Sequence, residues 1–186
     1  LGAPALAQSR GGGGGLFSGV QTPEWSSAFL PAIGERLEVE HFGGYGYGVA
    51  RDGFIAGGFA ILMLDESLAG GEYSEKPHLA GAAAGMIVGE RLVDEARVDL
   101  SVCARLGLGG LALGGFSMDV AEPDTEGFAV YYAEPYAELA VSITRWMAFT
   151  MQLGYRFVGN FAPGDPFDDF ILRSPTFGVG LVWGRF

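Results

Sequence analysis

The sequence predicts an all-β protein: a closed, antiparallel, up-and-down transmembrane β-barrel of about eight strands. Three observations predict it. The first is alternation of apolar and polar residues over stretches longer than the about 5–6 residues of an ordinary strand. A membrane-crossing strand takes about 9–11 tilted residues, with lipid on one face and a polar lumen on the other. The second is composition: 49% hydrophobic, only 18% charged, and 32 glycines in 186 residues. A soluble domain carries about 25% charged residues and about 7% Gly. The third is that the connections alternate between short and long.

Helices do not explain the apolarity. Strongly apolar charge-free runs such as 54–64 and 79–89 fall far short of the roughly 20 residues of a spanning helix. Both also contain glycine, which is poor in helix interiors.

The chain is read in three parts. Residues 1–8 read as a signal-peptide remnant, because Ala5-Leu6-Ala7 before Gln8 has the small-x-small form of a cleavage site and implies export. Residues 9–36 form a Gly-rich segment holding a candidate first strand at 14–21, and 37–186 is the barrel domain. Within the barrel, 37–50 sets Leu37, Val39, His41, Tyr45, Tyr47 and Val49 against Glu38, Glu40 and Phe42. The expectation is that the glutamates face the lumen. Arg51-Asp52-Gly53 is a tight hairpin turn with the Asp-Gly signal. The next two strands, 54–64 and 79–90, are apolar or small on both faces, so their facing is not assigned.

Residues 96–113 alternate most strictly. Val98, Leu100, Val102, Ala104, Leu106 and Leu108 stand against Arg97, Asp99, Ser101, Cys103 and Arg105. In 128–144, Ala129, Tyr131, Ala133, Leu139, Val141 and Ile143 oppose Tyr132, Glu134, Tyr136 and Glu138. Pro135 lacks an N–H for the ladder, which predicts a bulge or a strand end beside it. A tight turn at Arg145-Trp146 leads into 147–158, where Met147, Phe149, Met151, Leu153, Tyr155 and Phe157 oppose Gln152 and Arg156. The last strand is 176–186.

Short connections at 51–53, 92–95 and 145–146 alternate with long ones at 65–77, 117–127 and 159–174. Bacterial outer-membrane barrels have this asymmetry, with short periplasmic turns and long outer loops. Parity then favours eight strands, with 14–21 as the first. With the alternation, the terminal Phe186 and the phrases FGGYGYGV and PYAELAVSITRWMAFTMQLGYRF, the chain resembles small eight-stranded bacterial outer-membrane barrel proteins. The resemblance implies a bacterial outer-membrane location and contact with outer-membrane lipid.

The net charge of −11 argues against nucleic-acid binding, which wants clustered Lys and Arg. The polar faces give a lumen charge network of Glu38, Glu40, Arg97, Asp99, Arg105, Glu134, Glu138 and Arg156. Eight strands leave an interior just wide enough for side chains to fill it, so the network is expected to be a structural plug. No cofactor and no metal are expected. Asp165, Asp168 and Asp169 offer oxygen ligands for Ca²⁺, but their spacing reads better as a solvated acidic loop. Gly107, Gly109 and Gly110 lie in a strand with no following helix or Lys, so they are no phosphate loop. The lone Cys103 reads as a buried thiol.

These features predict a non-catalytic envelope protein, structural or surface-interacting, whose acidic loops meet an outside partner; homo-oligomerisation is left open. A soluble barrel or sandwich assembling through Gly-rich edges is the rival, and the oily face of 147–157 contradicts it. A lipid-modifying enzyme needs a nucleophile beside a His base; His41 and His78 are the only histidines, and neither sits in such a pattern.

Overall fold

The computed structural model describes residues 11–21, 39–65, 78–95, 97–114, 125–160 and 171–185. Eight strands run in sequence order: β1 (Gly11–Gln21), β2 (Val39–Val49), β3 (Phe54–Asp65), β4 (His78–Asp94), β5 (Val98–Gly114), β6 (Thr125–Thr144), β7 (Met147–Asn160) and β8 (Ile171–Arg185). Each pairs antiparallel with its neighbours, and β1 pairs with β8 to close the barrel. In hydrocarbon an unpaired N–H or C=O costs several kcal/mol, and closure leaves no open edge. The polyglycine at the start of β1 is fully in the sheet: Gly12–Gly15 pair with Tyr45–Gly48 on one side and Val182–Arg185 on the other.

The three short connections lie at one end. At the first, Gly53 takes φ +91°, a conformation open to glycine at no steric cost. Its N–H donates to Ala50 O, and Asp52 Oδ1 accepts from Phe54 N at 3.2 Å. The second turn is shifted from the 92–95 expected: β4 continues to Asp94 and β5 begins at Val98. The third is Arg145-Trp146. Four long connections, 22–38, 66–77, 115–124 and 161–170, join the strands at the other end. They lie outside the described residues, as does the signal-peptide reading of 1–8.

Pro135 neither ends β6 nor bulges it. The pairs Ala133–Phe157 and Tyr136–Gly154 keep one register across it, and the missing N–H is absorbed by a gap in the β6–β7 pairing at Glu134 and Pro135. The irregularities sit at the short-turn end instead, between Arg91 and Val93 and between Ser142 and Thr144.

The interior is a packed core with two sectors. β1–β4 contribute Phe17, Val39, Tyr45, Phe59, Ile61, Met63, Leu79 and Ile87, all buried. β5–β8 contribute Arg105, Glu134, Glu138, Thr150, Gln152, Arg156, Ser174 and Thr176, also buried. The sectors meet across the lumen, where the Phe59 and Tyr132 rings lie 5.3 Å apart.

Candidate functional site

Glu134 is the hub of the lumen. β6 places it inward, opposite Arg105 of β5. Its Oε2 accepts from Arg105 at 3.0 Å and from the Tyr132 hydroxyl. Its Oε1 accepts from Arg156 at 3.1 Å and from the Thr176 hydroxyl at 2.8 Å. Four donors on two oxygens saturate the carboxylate. Arg105, Glu134 and Arg156 are each no more than 1% exposed, so each charge depends on the others for what water no longer supplies.

The network extends both ways. Arg156 donates to Gln21 Oε1 at 2.6 Å, reaching β1. Arg105 donates to Gln152 Oε1 at 2.7 Å; Gln152 donates to Glu138 Oε2 at 2.6 Å, and the Tyr45 hydroxyl donates to the same oxygen at 2.8 Å. The Arg105 guanidinium also lies between the Phe17 and Tyr136 rings, 4.3 and 4.2 Å from their centroids, an arrangement that stabilises a desolvated cation. Two arginines face two glutamates, so the cluster is balanced in charge.

The structure therefore brings Arg105, Glu134, Glu138 and Arg156 into one lumen network. Asp99 is buried near the short-turn end and faces Arg91 at 3.8 Å. Two predicted members lie elsewhere. Glu40 is exposed on the outer face, because β2 turns Val39, His41, Tyr45 and Val49 inward; the interior sector it meets is apolar, so its oily face is its inner one. Arg97 is exposed on the second turn, just before β5 begins. Glu38 and the aspartates Asp165, Asp168 and Asp169 lie outside the described residues. Among the described residues no group of three or more His, Cys, Asp or Glu is placed to hold a metal ion.

Sequence reasoning missed Gln21, Tyr45, Tyr132 and Thr176 as network members. Tyr132 shares its parity with Glu134, a usable signal. Gln21 and Tyr45 give none, since β1 is mostly glycine and β2 turns its oily face inward. His41 lies inside the barrel, its ring 6.0 Å from Phe17, and its Nδ1 has no hydrogen-bond partner among the described residues. Cys103 is a buried free thiol.

The outer face has the opposite character. Leu16, Phe42, Leu62, Met86, Leu106, Leu108, Ile143, Leu153, Phe177 and Val179 are all exposed. They run around the whole cylinder, with Trp146 and Trp183 exposed near the short turns and Tyr131 and Tyr155 nearer the other end. Such a surface is unusual for a water-soluble monomer, whose contiguous apolar patches rarely exceed a few hundred Å².

The fold matches that of small eight-stranded outer-membrane barrels. Neisserial surface protein A superposes with a TM-score of 0.62 at 9% identity, covering 94% of this chain and 97% of that one. Ail, the attachment invasion locus protein of Yersinia pestis, gives 0.56 at 9% identity with the same coverage. Ail in complex with the heparin analogue sucrose octasulfate gives 0.54 at 11% identity, again over 94% and 97%. The sequence matches no protein-family profile and no curated relative. Architecture is shared where sequence is not.

Proposed function

We propose that this chain is a bacterial outer-membrane β-barrel that acts without catalysis, as a structural or surface-interaction protein of the cell envelope. One observation carries the reading: an apolar belt surrounds the closed cylinder while the charges inside are balanced and hydrogen-bonded. Lipid covers such a belt, and a lumen packed with side chains leaves no solute pore. Heat-modifiable gel mobility and extraction only by detergent are the expected results. A monomer that stays in buffer without detergent would overturn it.

Charge suggests where a partner binds. Each of the four long connections carries three acids: Glu24, Glu35 and Glu38; Glu66, Glu72 and Glu75; Asp119, Glu122 and Asp124; Asp165, Asp168 and Asp169. Only Arg36 and Lys76 oppose them. Acidic loops attract cationic partners and repel polyanions, so the partner is a basic protein or peptide surface. This differs from Ail, which was crystallised with a sulfated sugar. Vesicle-embedded protein should bind a Lys-rich peptide, more weakly as salt is raised, and should not bind sucrose octasulfate. Binding of the sulfated sugar in place of the peptide would reverse the assignment.

A further inference from the structure

The short-turn end carries a feature that the lumen plug does not use. The two irregularities, at Arg91/Val93 in β4 and Ser142/Thr144 in β6, flank the start of β5. Bulges re-aim side chains at barrel rims. Ser142 N donates to Arg97 O at 2.9 Å and ties the second turn to the end of β6. A cavity of about 600 Å³ opens there, lined by Asp94, Glu95, Arg97, Asp99, Thr144 and Arg145, among others.

The charges at this cavity divide into two aspartates beside Arg91 and a set with no charged partner among the described residues. Arg91 lies 3.5 Å from Asp94 and 3.8 Å from Asp99, whose buried Oδ1 has no hydrogen-bond partner among the described residues. Arg97, Arg145 and Glu95 are exposed and form no ion pair among the described residues. Two guanidiniums and one carboxylate are left over. That set complements a phosphodiester next to a primary ammonium: guanidinium forks match phosphate oxygens, and Glu95 suits the amine. The Thr144 hydroxyl accepts from Trp146 N at 3.3 Å, which leaves its own hydrogen to donate to a phosphate oxygen.

One wall leads into the oily belt. Ile143 lines the cavity and is 57% exposed, with Val98 and Val141 exposed beside it. Trp146 is exposed next to the cavity, and indole rings favour the headgroup level of a bilayer.

We infer that this cavity binds the headgroup of a zwitterionic aminophospholipid, its phosphodiester between Arg97 and Arg145, its ammonium at Glu95 and its acyl chains over Ile143. The inference rests on the membrane reading above. An anionic headgroup without an amine would leave Glu95 facing the phosphate, so phosphatidylethanolamine is preferred to phosphatidylglycerol.

The test is native mass spectrometry of the full chain reconstituted in vesicles of equal phosphatidylethanolamine and phosphatidylglycerol, then taken through mild delipidation. One phosphatidylethanolamine is retained per barrel, in about tenfold preference, the scale of one charge-assisted contact. Arg97→Ala with Arg145→Ala abolishes retention, and Glu95→Gln removes the preference while keeping a lipid bound. All three positions are exposed in turns, and Arg51→Ala on the first turn serves as the control that changes nothing. Equal retention of both lipids, or retention unaffected by these variants, overturns the inference. Soluble glycerophosphoethanolamine should leave the lipid in place; displacement would assign the cavity to a soluble phosphoethanolamine instead. Vesicle flotation separates the two levels, since a chain that fails to float overturns the membrane reading along with this one.

Discussion

The two halves of the barrel solve the same packing problem with opposite materials. In β5–β8 the interior sets an ionic, hydrogen-bonded cluster of Arg105, Glu134, Glu138, Gln152 and Arg156 among apolar side chains such as Leu111, Val158 and Leu172, and the exterior is bulky, with Val102, Leu108, Phe149, Met151, Leu153 and Leu181. In β1–β4 the interior is mostly apolar, with Phe17, Phe59, Ile61, Met63 and Ile87. Its exterior is sparse: Gly44, Gly46, Gly48, Ala56, Gly58, Ala60 and Ala84 all occupy outward positions between Phe42 and Met86. The lesson is that a closed barrel needs its interior filled but does not need it polar. Arg105, with Phe17 on one side and Tyr136 on the other, is where one solution passes into the other.

The largest way to break this comparison is to attack the ionic half at its hub. Glu134→Ala leaves two guanidiniums buried without their carboxylate, which costs about 3–5 kcal/mol. Urea unfolding followed by loss of the heat-modifiable band should show a clear fall in midpoint. A change of under about 1 kcal/mol, the range of an exposed pair, would mean that water reaches the cluster and that the plug is not dry.

That asymmetry also decides how much of the molecule was legible in the sequence. Alternation reports a contrast between two faces, and β5, β6 and β7 have one: Leu100 and Met151 point out while Arg105 and Arg156 point in. Their facing, and the four central charges, could be read directly. β3 and β4 are apolar or small on both faces, so period-two arithmetic had nothing to contrast. β2 misled for a sharper reason. Its one clear contrast, Val39 and Val49 against Glu40, is real, but it is turned round because the sector inside β2 is oilier than the rim outside Glu40. Arg97 failed as a lumen residue because parity was carried one residue past the end of the strand. Eight strands were recoverable from the parity of turns, a topological argument that does not depend on facing.

A middle-sized effect tests the exterior of the ionic half. Leu153, in the middle of β7, is 67% exposed. If lipid covers it, Leu153→Arg costs about 2–4 kcal/mol, the penalty for a cation near the bilayer midplane of a barrel. In water the same change is nearly neutral, within about 0.5 kcal/mol. Measured in vesicles by urea titration, a neutral result would detach this face from the membrane while leaving the fold intact.

The smallest effect sharpens the other half, using two glycines three residues apart on β2. Gly43 faces inward, and a Cβ there would come 2.6 Å from Ala60 O and 2.7 Å from Phe17 Cζ. Gly46 faces outward, and a Cβ there would meet nothing nearer than Gly13 O at 3.9 Å. Gly43→Ala therefore forces the Phe17 ring, and with it the Arg105 guanidinium it covers, to shift, at a cost of about 1–3 kcal/mol for overpacking. Gly46→Ala should instead stabilise by about 0.5–1 kcal/mol, because glycine in a strand interior loses more chain entropy than alanine. The two variants have the same chemistry and opposite sign. Their difference in unfolding midpoint isolates the interior requirement, since the entropic gain is common to both. Two equal gains would show that the apolar half has slack around Phe17 and that the inward glycines are not held there by packing.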